Sequence, residues 1–352
     1  MRVFLLSLLI APLLWSQSES EAEVRRIVEI FHKQQRGEAA TAEETESVKR
    51  IQARRRGAPE AFLQANPPRD STGLVPLTDL GGGEYKGERG GLYPGGSNAP
   101  SPAYLQAGRK AAAAIAPLDG EGKHAADGKI ALLSLGMSNT TQSFQVFQKL
   151  AAADTHLNPR LVIVDGAQGA NSAEVTANPA SGFWLVVDER LKKAGVTPRQ
   201  VQAVWMKQAF QMPTRPFPTE AKVLHQYLVE NVGIMRRRFP NLKIVYLSSR
   251  TYAGWARSPL NPEPHAYEGA FSVKWLIADR IAGRLDGPWL AWGPYLWADG
   301  VKGRADGFAY AAEDFAADGT HPSPAGREKV ARLLLDFLKS DPTARPWFVK
   351  TD

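Results

Sequence analysis

Short apolar segments alternate with longer amphipathic ones over the last two thirds of the chain. Five of the apolar segments are only four to six residues long and rich in β-branched or aromatic residues, which is typical of strands buried on both faces. These predicted strands cover residues 130–135, 161–164, 201–206, 244–247 and 289–292. Because helical segments separate them, we expect an α/β domain with three α/β/α layers around a parallel sheet.

The segments between the predicted strands carry apolar residues at helical spacing. In the last of them, Val330, Leu333, Leu334 and Phe337 fall on one face. The predicted helices cover residues 101–115, 141–153, 219–239, 270–281 and 325–339. Ligands bind at the carboxyl ends of the strands in such sheets, so we expect a functional site in the loops that follow them.

The N-terminal residues predict an export signal. A positive charge at Arg2 precedes an apolar stretch over residues 3–15, and Ser16-Gln17-Ser18 resembles a small-x-small cleavage site. We therefore predict a signal peptide over residues 1–18, cleaved near Ser18, in a secreted or periplasmic protein. An uncleaved N-terminal anchor is the alternative.

Two further segments precede the main domain. Residues 19–65 are charged and rich in helix formers, which predicts a helical extension with helices over 24–31 and 42–56. Residues 66–128 are rich in glycine and proline and predict a linker or a segment wrapped on the domain. Residues 129–345 contain the predicted sheet.

Composition narrows the function classes. The chain contains no cysteine, which excludes disulfides, thiolate catalysis and cysteine-ligated metals. Its net charge is +7, but the basic runs at residues 54–56 and 236–238 are short and lie in helical contexts. They indicate solvated helix faces rather than a nucleic-acid surface. No segment after the signal has the length of a membrane span, so stable membrane insertion is not expected.

A serine follows the first predicted strand almost directly, in Gly136-Met137-Ser138-Asn139-Thr140. A hydroxyl at a strand-to-helix turn is exposed at the sheet edge, and its own N–H lies near a helix N-terminus, where developing negative charge is stabilised. The pattern is equally explained if Ser138 or Asn139 only caps the helix.

Polar residues and glycines also follow the second and third predicted strands. Gly169 lets a backbone N–H approach a ligand, although a tight turn explains it as well. Lys207 and Gln208 follow the third strand, and either could donate a hydrogen bond to a substrate or an oxyanion. A solvent-facing loop is the alternative for both.

Near the C-terminus, Asp318 and His321 lie three residues apart, just before the last predicted helix. This spacing can place the carboxylate against imidazole Nδ1 and leave Nε2 free to take a proton from a serine. Pro322 and Pro324 stiffen the segment. An incidental histidine at the start of a helix is the alternative reading.

In this order the segments resemble the SGNH/GDSL hydrolase superfamily over residues 129–339. Gly136-Met137-Ser138 resembles its first block, usually written Gly-Asp-Ser, and Asp318-x-x-His321-Pro322 resembles its last. Gly169 falls where the family places its oxyanion glycine. The similarity is nearest to the carbohydrate acetylesterase, sialate O-acetylesterase-like branch, whose members often read Gly-x-Ser-Asn. Two residues depart from the pattern: Met137 replaces Asp, and Lys207-Gln208 stands where the family has an oxyanion Asn.

The resemblance implies a flavodoxin-like fold and a bacterial serine esterase in which Ser138 is the nucleophile, His321 the base and Asp318 its orienting carboxylate. It implies an oxyanion site formed by the N–H groups of Ser138 and Gly169, with Lys207 or Gln208 as third donor and Asn139 beside them. The expected substrate is a small-molecule or polysaccharide ester, chiefly an O-acetylated carbohydrate. No metal or organic cofactor is required.

Three other functions remain open from the sequence. One is hydrolysis of a lipid or lysophospholipid ester; another is carbohydrate binding without catalysis, favoured by the missing third-block Asn. A structural or envelope-assembly role for the basic N-terminal region is the third. Aromatic residues of the second half could stack on sugars or belong to the core. They are Trp184, Trp205, Tyr252, Trp255, Trp292, Tyr295 and Trp297.

Overall fold

The computed structural model of the protein describes residues 41, 43–44 and 60–350. Its centre is a sheet of five parallel strands, which lie in the order β2-β1-β3-β4-β5. The strands are β1 Ile130–Gly136, β2 Leu161–Asp165, β3 Val201–Lys207, β4 Ile244–Leu247 and β5 Trp289–Trp292. The predicted three-layer fold with a five-stranded parallel sheet is confirmed.

Six longer helices cover the sheet. They are α1 Pro102–Ala113, α2 Ser138–Ala153, α3 Gly182–Lys193, α4 Thr219–Arg238, α5 His265–Ile281 and α6 Pro324–Ser340. The described residues also include short α-helical turns at Leu77–Leu80, Ala173–Thr176 and Arg345–Phe348 and 3-10 turns at Pro94–Gly96, Pro198–Gln200 and Ala312–Asp314.

Alternate side chains of the strands enter two separate cores. Leu133 and Leu135 of β1 belong to a core shared with α3, α4 and α5. Ile130 and Leu132 belong to the opposite core, shared with α1, α2 and α6. Because both faces of each strand are covered, a strand reads as a continuous apolar run, which is the pattern that made the strands recognisable in the sequence.

The helices differ from the prediction mainly at three places. Helix α5 begins at His265, five residues earlier than predicted. Helix α3 was not predicted: its buried residues Phe183, Trp184, Val187 and Leu191 do recur at helical spacing, but the uninterrupted apolar run 183–187 conceals that spacing. Helix α2 begins three residues earlier than predicted, because Met137, in extended conformation, occupies the N-cap position. Ser138 is consequently the first helical residue.

The glycine- and proline-rich residues 66–128 pack against the domain. Leu77 is fully buried. The Leu92 carbonyl oxygen accepts a 2.7 Å hydrogen bond from Trp292 Nε1, and the Tyr93 hydroxyl accepts one of 3.2 Å from the Trp292 N–H. This segment also forms a two-stranded hairpin, Glu84–Tyr85 with Glu88–Arg89. It therefore contributes to the core beside β5.

Parts of the predicted N-terminal organisation lie outside the described residues. This applies to the signal peptide over residues 1–18 and to the helix over 24–31. Of the predicted helix over 42–56 only residues 43–44 are described, and they are helical; residues 60–65 form a further helical turn. Within the described residues no helix combines the length and the apolar character of a membrane span, and no cluster of three or more His, Asp or Glu side chains has the arrangement of a metal site.

The buried carboxylate of Asp299 attaches the segment of residues 66–128 to the domain. Asp299 is fully buried and accepts hydrogen bonds from the Ser71 hydroxyl, from both the N–H and the hydroxyl of Thr72, and from the Gly73 N–H. Hydrogen bonds to a charged acceptor contribute about 1.5–3 kcal/mol each and are not additive.

We expect Asp299→Ala to lower the free energy of unfolding by about 3 kcal/mol, measured by urea denaturation, and to make residues 69–75 sensitive to protease.

The exposed Asp127, which accepts no hydrogen bond in the described part of the chain, provides the control. Asp127→Ala removes the same charge without removing an attachment, so its unfolding curve should match that of the unmodified protein. Equal curves for both variants would contradict the proposed role of Asp299.

Candidate active site

Ser138 lies at the junction between β1 and α2, at the carboxyl edge of the sheet. An added Cβ at Gly136, the last residue of β1, would lie 2.3 Å from Thr140 Oγ1 and 2.4 Å from the Lys207 carbonyl oxygen. Glycine is therefore required where β1, β3 and the first turn of α2 approach one another. This approach fixes the direction in which the chain turns into the helix and so fixes Ser138.

His321 meets Ser138 from a loop that precedes α6. Ser138 Oγ and His321 Nε2 are 2.9 Å apart, and His321 Nδ1 lies 2.6 Å from Asp318 Oδ2. Asp318 Oδ1 also accepts hydrogen bonds of 2.9 Å from the N–H groups of Thr320 and His321. The structure therefore brings together the three side chains that we predicted as a triad.

The charge of Asp318 determines the tautomer of His321. Burial alone would raise the pKa of the Asp318 carboxyl, but hydrogen bonds from the side chain and N–H of His321 and from the Thr320 N–H outweigh burial and lower this pKa to about 2. An ionised carboxylate only accepts hydrogen bonds, so His321 Nδ1 carries a proton. In the neutral imidazole Nε2 is then an acceptor for the Ser138 hydroxyl, as a general base requires.

A close backbone contact holds the loop that carries Asp318 and His321. Gly319 has a φ of 65°, and a Cβ at this position would lie 1.7 Å from the Trp255 carbonyl oxygen. The Arg257 N–H donates a 2.9 Å hydrogen bond to the Asp318 carbonyl oxygen. The loop therefore depends on glycine twice, for its conformation and for its contact with residues 255–257.

Asn139 connects the same loop to α2. Its side chain is buried, and Nδ2 donates a 2.9 Å hydrogen bond to the Thr320 carbonyl oxygen. We had predicted Asn139 as a substrate-binding residue. One amide hydrogen is thus used between the helix and the loop, one residue away from His321, while Oδ1 has no partner among the described residues, so the substrate-binding role stays a prediction.

Two backbone N–H groups are available beside the Ser138 hydroxyl. A Cβ at Gly169 would lie 3.9 Å from Ser138 Cβ, so the loop after β2 passes next to the serine. That loop is held by hydrogen bonds from the Gln168 N–H to the Gly136 carbonyl (2.9 Å) and from Asn171 Nδ2 to the Gly169 carbonyl (2.8 Å). In the described chain neither Ser138 N–H nor Gly169 N–H donates to a protein acceptor. These donors fit an oxyanion at the N-terminus of α2.

Gln208 and Lys207, the two side chains predicted as a third oxyanion donor, differ in whether their donor groups are already hydrogen-bonded. Gln208 Nε2 donates to the Asn171 carbonyl oxygen at 3.1 Å and to Thr176 Oγ1 at 3.0 Å. Both amide hydrogens are thus committed to the loop that carries Gly169, which corrects the prediction for Gln208. Lys207 is also buried, but its ammonium group makes no hydrogen bond or ion pair with any described residue. Lys207 therefore stays available for a ligand.

Arg250 is a buried residue beside the site that the sequence analysis missed. It lies three residues beyond the end of β4, the strand next to β3, and it is only 5 % exposed. It therefore lies at the same carboxyl edge of the sheet as Lys207, which ends the neighbouring strand β3. The available signal was the polar run Ser248-Ser249-Arg250 directly after an apolar strand.

The aromatic side chains considered for sugar stacking are buried in the cores. None of them is more than 7 % exposed: Trp184, Trp205, Tyr252, Trp255, Trp292, Tyr295 and Trp297. Their indole and phenol groups hydrogen-bond inside the protein, for example Trp205 Nε1 to Ser248 Oγ and Trp297 Nε1 to Glu263 Oε1. The alternative in which they belong to the core therefore holds for all seven.

The contact at Gly319 generates a test of how the loop positions the triad. Gly319→Ala must move the loop away from Trp255, and a displacement of about 1 Å at a catalytic group costs about 100-fold in rate. We expect kcat/KM for a short-chain ester to fall by about that factor, with the loss mainly in kcat.

Gly307 provides a matched control, since it also has a positive φ, 84°, but a Cβ there would meet no atom within 4 Å. Gly307→Ala should cost about 1 kcal/mol of stability for its backbone conformation and leave kcat/KM unchanged. Equal kinetics of the two variants would show that the Trp255 contact does not position the triad.

Comparison with known proteins was made at the level of families, sequences and structures. No family model and no curated protein sequence matches the chain. Among solved structures, an acylhydrolase candidate from Bacteroides fragilis matches with a TM-score of 0.36 and 13% identity, over 68% of this chain and 97% of that one. The protein YxiM from Bacillus subtilis matches with a TM-score of 0.35 and 15% identity, over 62% of this chain and 59% of its own length. At similarities this low, function has to be argued from the residues of the site.

Proposed function

We propose that the protein is a serine hydrolase that cleaves carboxylic esters through an acyl-enzyme on Ser138. The observation that carries the proposal is the 2.9 Å distance between Ser138 Oγ and His321 Nε2, with the Asp318 carboxylate bound to the other ring nitrogen. Nucleophile, base and orienting group within hydrogen-bond distance of one another are the signature of an activated serine.

In the first half of the reaction Ser138 Oγ bonds to the ester carbonyl carbon while His321 Nε2 takes the hydroxyl proton. The carbonyl oxygen becomes an oxyanion, which the N–H groups of Ser138 and Gly169 stabilise. Asp318 keeps its charge and stabilises the imidazolium of His321. The bond to the alcohol oxygen then breaks, and His321 returns the proton to the departing alcohol.

In the second half water takes the place of the alcohol. His321 removes a proton from the water, whose oxygen attacks the acyl carbon, and the same two N–H groups stabilise the second oxyanion. Cleavage of the bond to Ser138 Oγ releases the carboxylic acid, and the proton returns to the serine. The proposed steps use groups of the chain and water.

For the substrate we propose an O-acetyl ester on a carbohydrate outside the cytoplasm. The support is the Gly136-Met137-Ser138-Asn139 sequence, which resembles the first block of the carbohydrate acetylesterases, together with the predicted signal peptide over residues 1–18. A lipid ester is the second substrate class. Carbohydrate binding without catalysis is the competing function, since the third-block Asn is missing and Gln208 does not replace it.

A serine-directed probe tests the proposal. A fluorophosphonate should label the unmodified protein at Ser138, and Ser138→Ala should abolish labelling. The same substitution should reduce turnover of p-nitrophenyl acetate by at least about 1000-fold, because the loss of an activated serine usually costs that much or more. Thermal unfolding of Ser138→Ala should match that of the unmodified protein, since the substitution removes one partly exposed hydroxyl.

Ser340→Ala, which removes an exposed hydroxyl at the end of α6, is the matched control and should retain labelling and turnover. A protein that binds carbohydrate without catalysis would remain unlabelled in its unmodified form. Turnover that survives in Ser138→Ala would likewise exclude the mechanism.

A further inference from the structure

Two buried basic side chains at the strand ends beside the candidate triad, Lys207 and Arg250, have no partner among the residues that the structure describes. Lys207 and Arg250 are 3 % and 5 % exposed, and no described residue accepts a hydrogen bond from either side chain or forms an ion pair with it. Nε and Nη2 of Arg250 are completely enclosed without an acceptor. Buried charges in proteins are normally paired and hydrogen-bonded, because an unpaired charge loses its hydration without compensation.

The carboxylates of Asp318 and Glu263, which act electrostatically on Arg250, already accept hydrogen bonds from other groups. Asp318 binds His321 and the Thr320 N–H. Glu263 accepts hydrogen bonds from Trp297 Nε1 (2.7 Å), from the Ala253 N–H (2.9 Å) and from a further backbone N–H (3.1 Å). Neither acid lies within ion-pair distance of Arg250, and neither can neutralise two cations.

The pKa shifts of Lys207, Arg250 and Glu263 agree with this geometry. Burial lowers the pKa of the Lys207 ammonium well below its usual value, and the positive charge of Arg250 lowers it further. Burial lowers the pKa of the Arg250 guanidinium to about 10, although Glu263 and Asp318 act in the opposite direction. Burial also raises the pKa of Glu263 to about 7, despite its hydrogen bonds and the nearby Arg250. Burial is the largest cause of all three shifts, so the surrounding protein does not fully compensate the charged forms of these groups.

The sheet order places both cations on one side of Ser138. Gly169 follows β2, Ser138 follows β1, Lys207 ends β3 and Arg250 follows β4, and these strands are neighbours in that sequence. The Lys207 carbonyl oxygen accepts a 2.9 Å hydrogen bond from Thr140 Oγ1 in the first turn of α2. The backbone of Lys207 therefore touches the turn that carries the nucleophile, on the side opposite to Gly169.

We propose that Lys207 and Arg250 form a subsite for an anionic substituent, a carboxylate or a sulfate, on the ester substrate. A substrate oxyanion would supply the missing acceptor for the guanidinium and the counter-charge for the ammonium, with charge-assisted hydrogen bonds to both. This inference rests on the proposed esterase function and makes it specific: the preferred substrate is an acylated acidic sugar rather than a neutral one.

Binding to the Ser138→Ala protein tests the subsite without turnover. We expect D-glucuronate or D-glucose 6-sulfate to bind at least about tenfold more tightly than D-glucose in titration calorimetry, since one charge-assisted contact accounts for such a factor. The tighter of the two anionic ligands identifies the substituent as carboxylate or sulfate. Equal affinity for all three sugars would overturn the proposal even if Ser138 reacts with the fluorophosphonate.

Substitution of Lys207 and Arg250 provides a second test of the subsite. Arg250→Met and Lys207→Met, each in the Ser138→Ala background, should reduce the preference for the anionic sugar at least about tenfold. Should Arg250→Met fail to fold, Lys207→Met carries the test alone. Lys192→Met, at an exposed position on α3, removes the same charge and should keep the preference.

Turnover separates this proposal from a role of Lys207 in the oxyanion site. In the protein with Ser138 intact, Lys207→Met and Arg250→Met should lower kcat/KM at least about tenfold more for an anionic ester, such as acetylated methyl glucuronide, than for p-nitrophenyl acetate. Equal loss on the two esters would assign Lys207 to the oxyanion and overturn the anionic subsite.

Discussion

The hydrogen bond between the Ser138 hydroxyl and His321 Nε2 joins two positions 183 residues apart in the chain, and the chemistry depends on keeping it. The serine is fixed by the sheet, because it begins the helix that follows the central strand β1. The histidine is on a loop and needs other constraints. Asn139 Nδ2 binds the Thr320 carbonyl oxygen, and Gly319 allows the loop to lie against Trp255. Both contacts act directly beside Asp318 and His321.

The site uses two kinds of hydrogen-bond donor, and the order of the strands separates them. On the β2 side, Ser138 and Gly169 offer backbone N–H groups, which are fixed by the fold and carry no net charge to be desolvated. On the β3 side, Lys207 and Arg250 are basic side chains in a buried position, where a positive charge is unfavourable until an anion arrives. The first pair suits a charge that develops briefly during the reaction. The second pair suits a charge that the substrate carries from the beginning.

Much of the architecture is predictable because it depends on local patterns. Parallel strands buried on both faces read as apolar runs, so the five strands and their carboxyl ends could be located from the sequence. The close approach of positions 138, 318 and 321 was predicted from the resemblance of the Gly136-x-Ser138 turn and the Asp318-x-x-His321 segment to blocks of the SGNH/GDSL hydrolases. Helix α3 was not predicted, because the exposed Leu185 lies inside the apolar run 183–187 and conceals the helical spacing of the buried Phe183 and Val187.

The direction in which polar side chains point could not be predicted. Gln208 and Asn139 have the composition of site residues, yet tertiary contacts with Thr176 and Thr320 use amide hydrogens of both inside the structure. Arg250 shows the converse, because a charged residue in a polar run looks like part of a solvated loop and only the fold reveals that it is buried. Sequence patterns indicate which strand ends matter, and packing decides which side chains remain available there.

A crystal structure of the fluorophosphonate adduct tests the role of Ser138 most directly, because the phosphonyl oxygen stands in for the oxyanion. We expect a covalent bond to Ser138 Oγ, with the phosphonyl oxygen about 3 Å from both the Ser138 and the Gly169 nitrogen atoms. His321 Nε2 should still lie beside the modified oxygen. An adduct on another residue, or a phosphonyl oxygen directed away from these two N–H groups, would contradict the proposed mechanism.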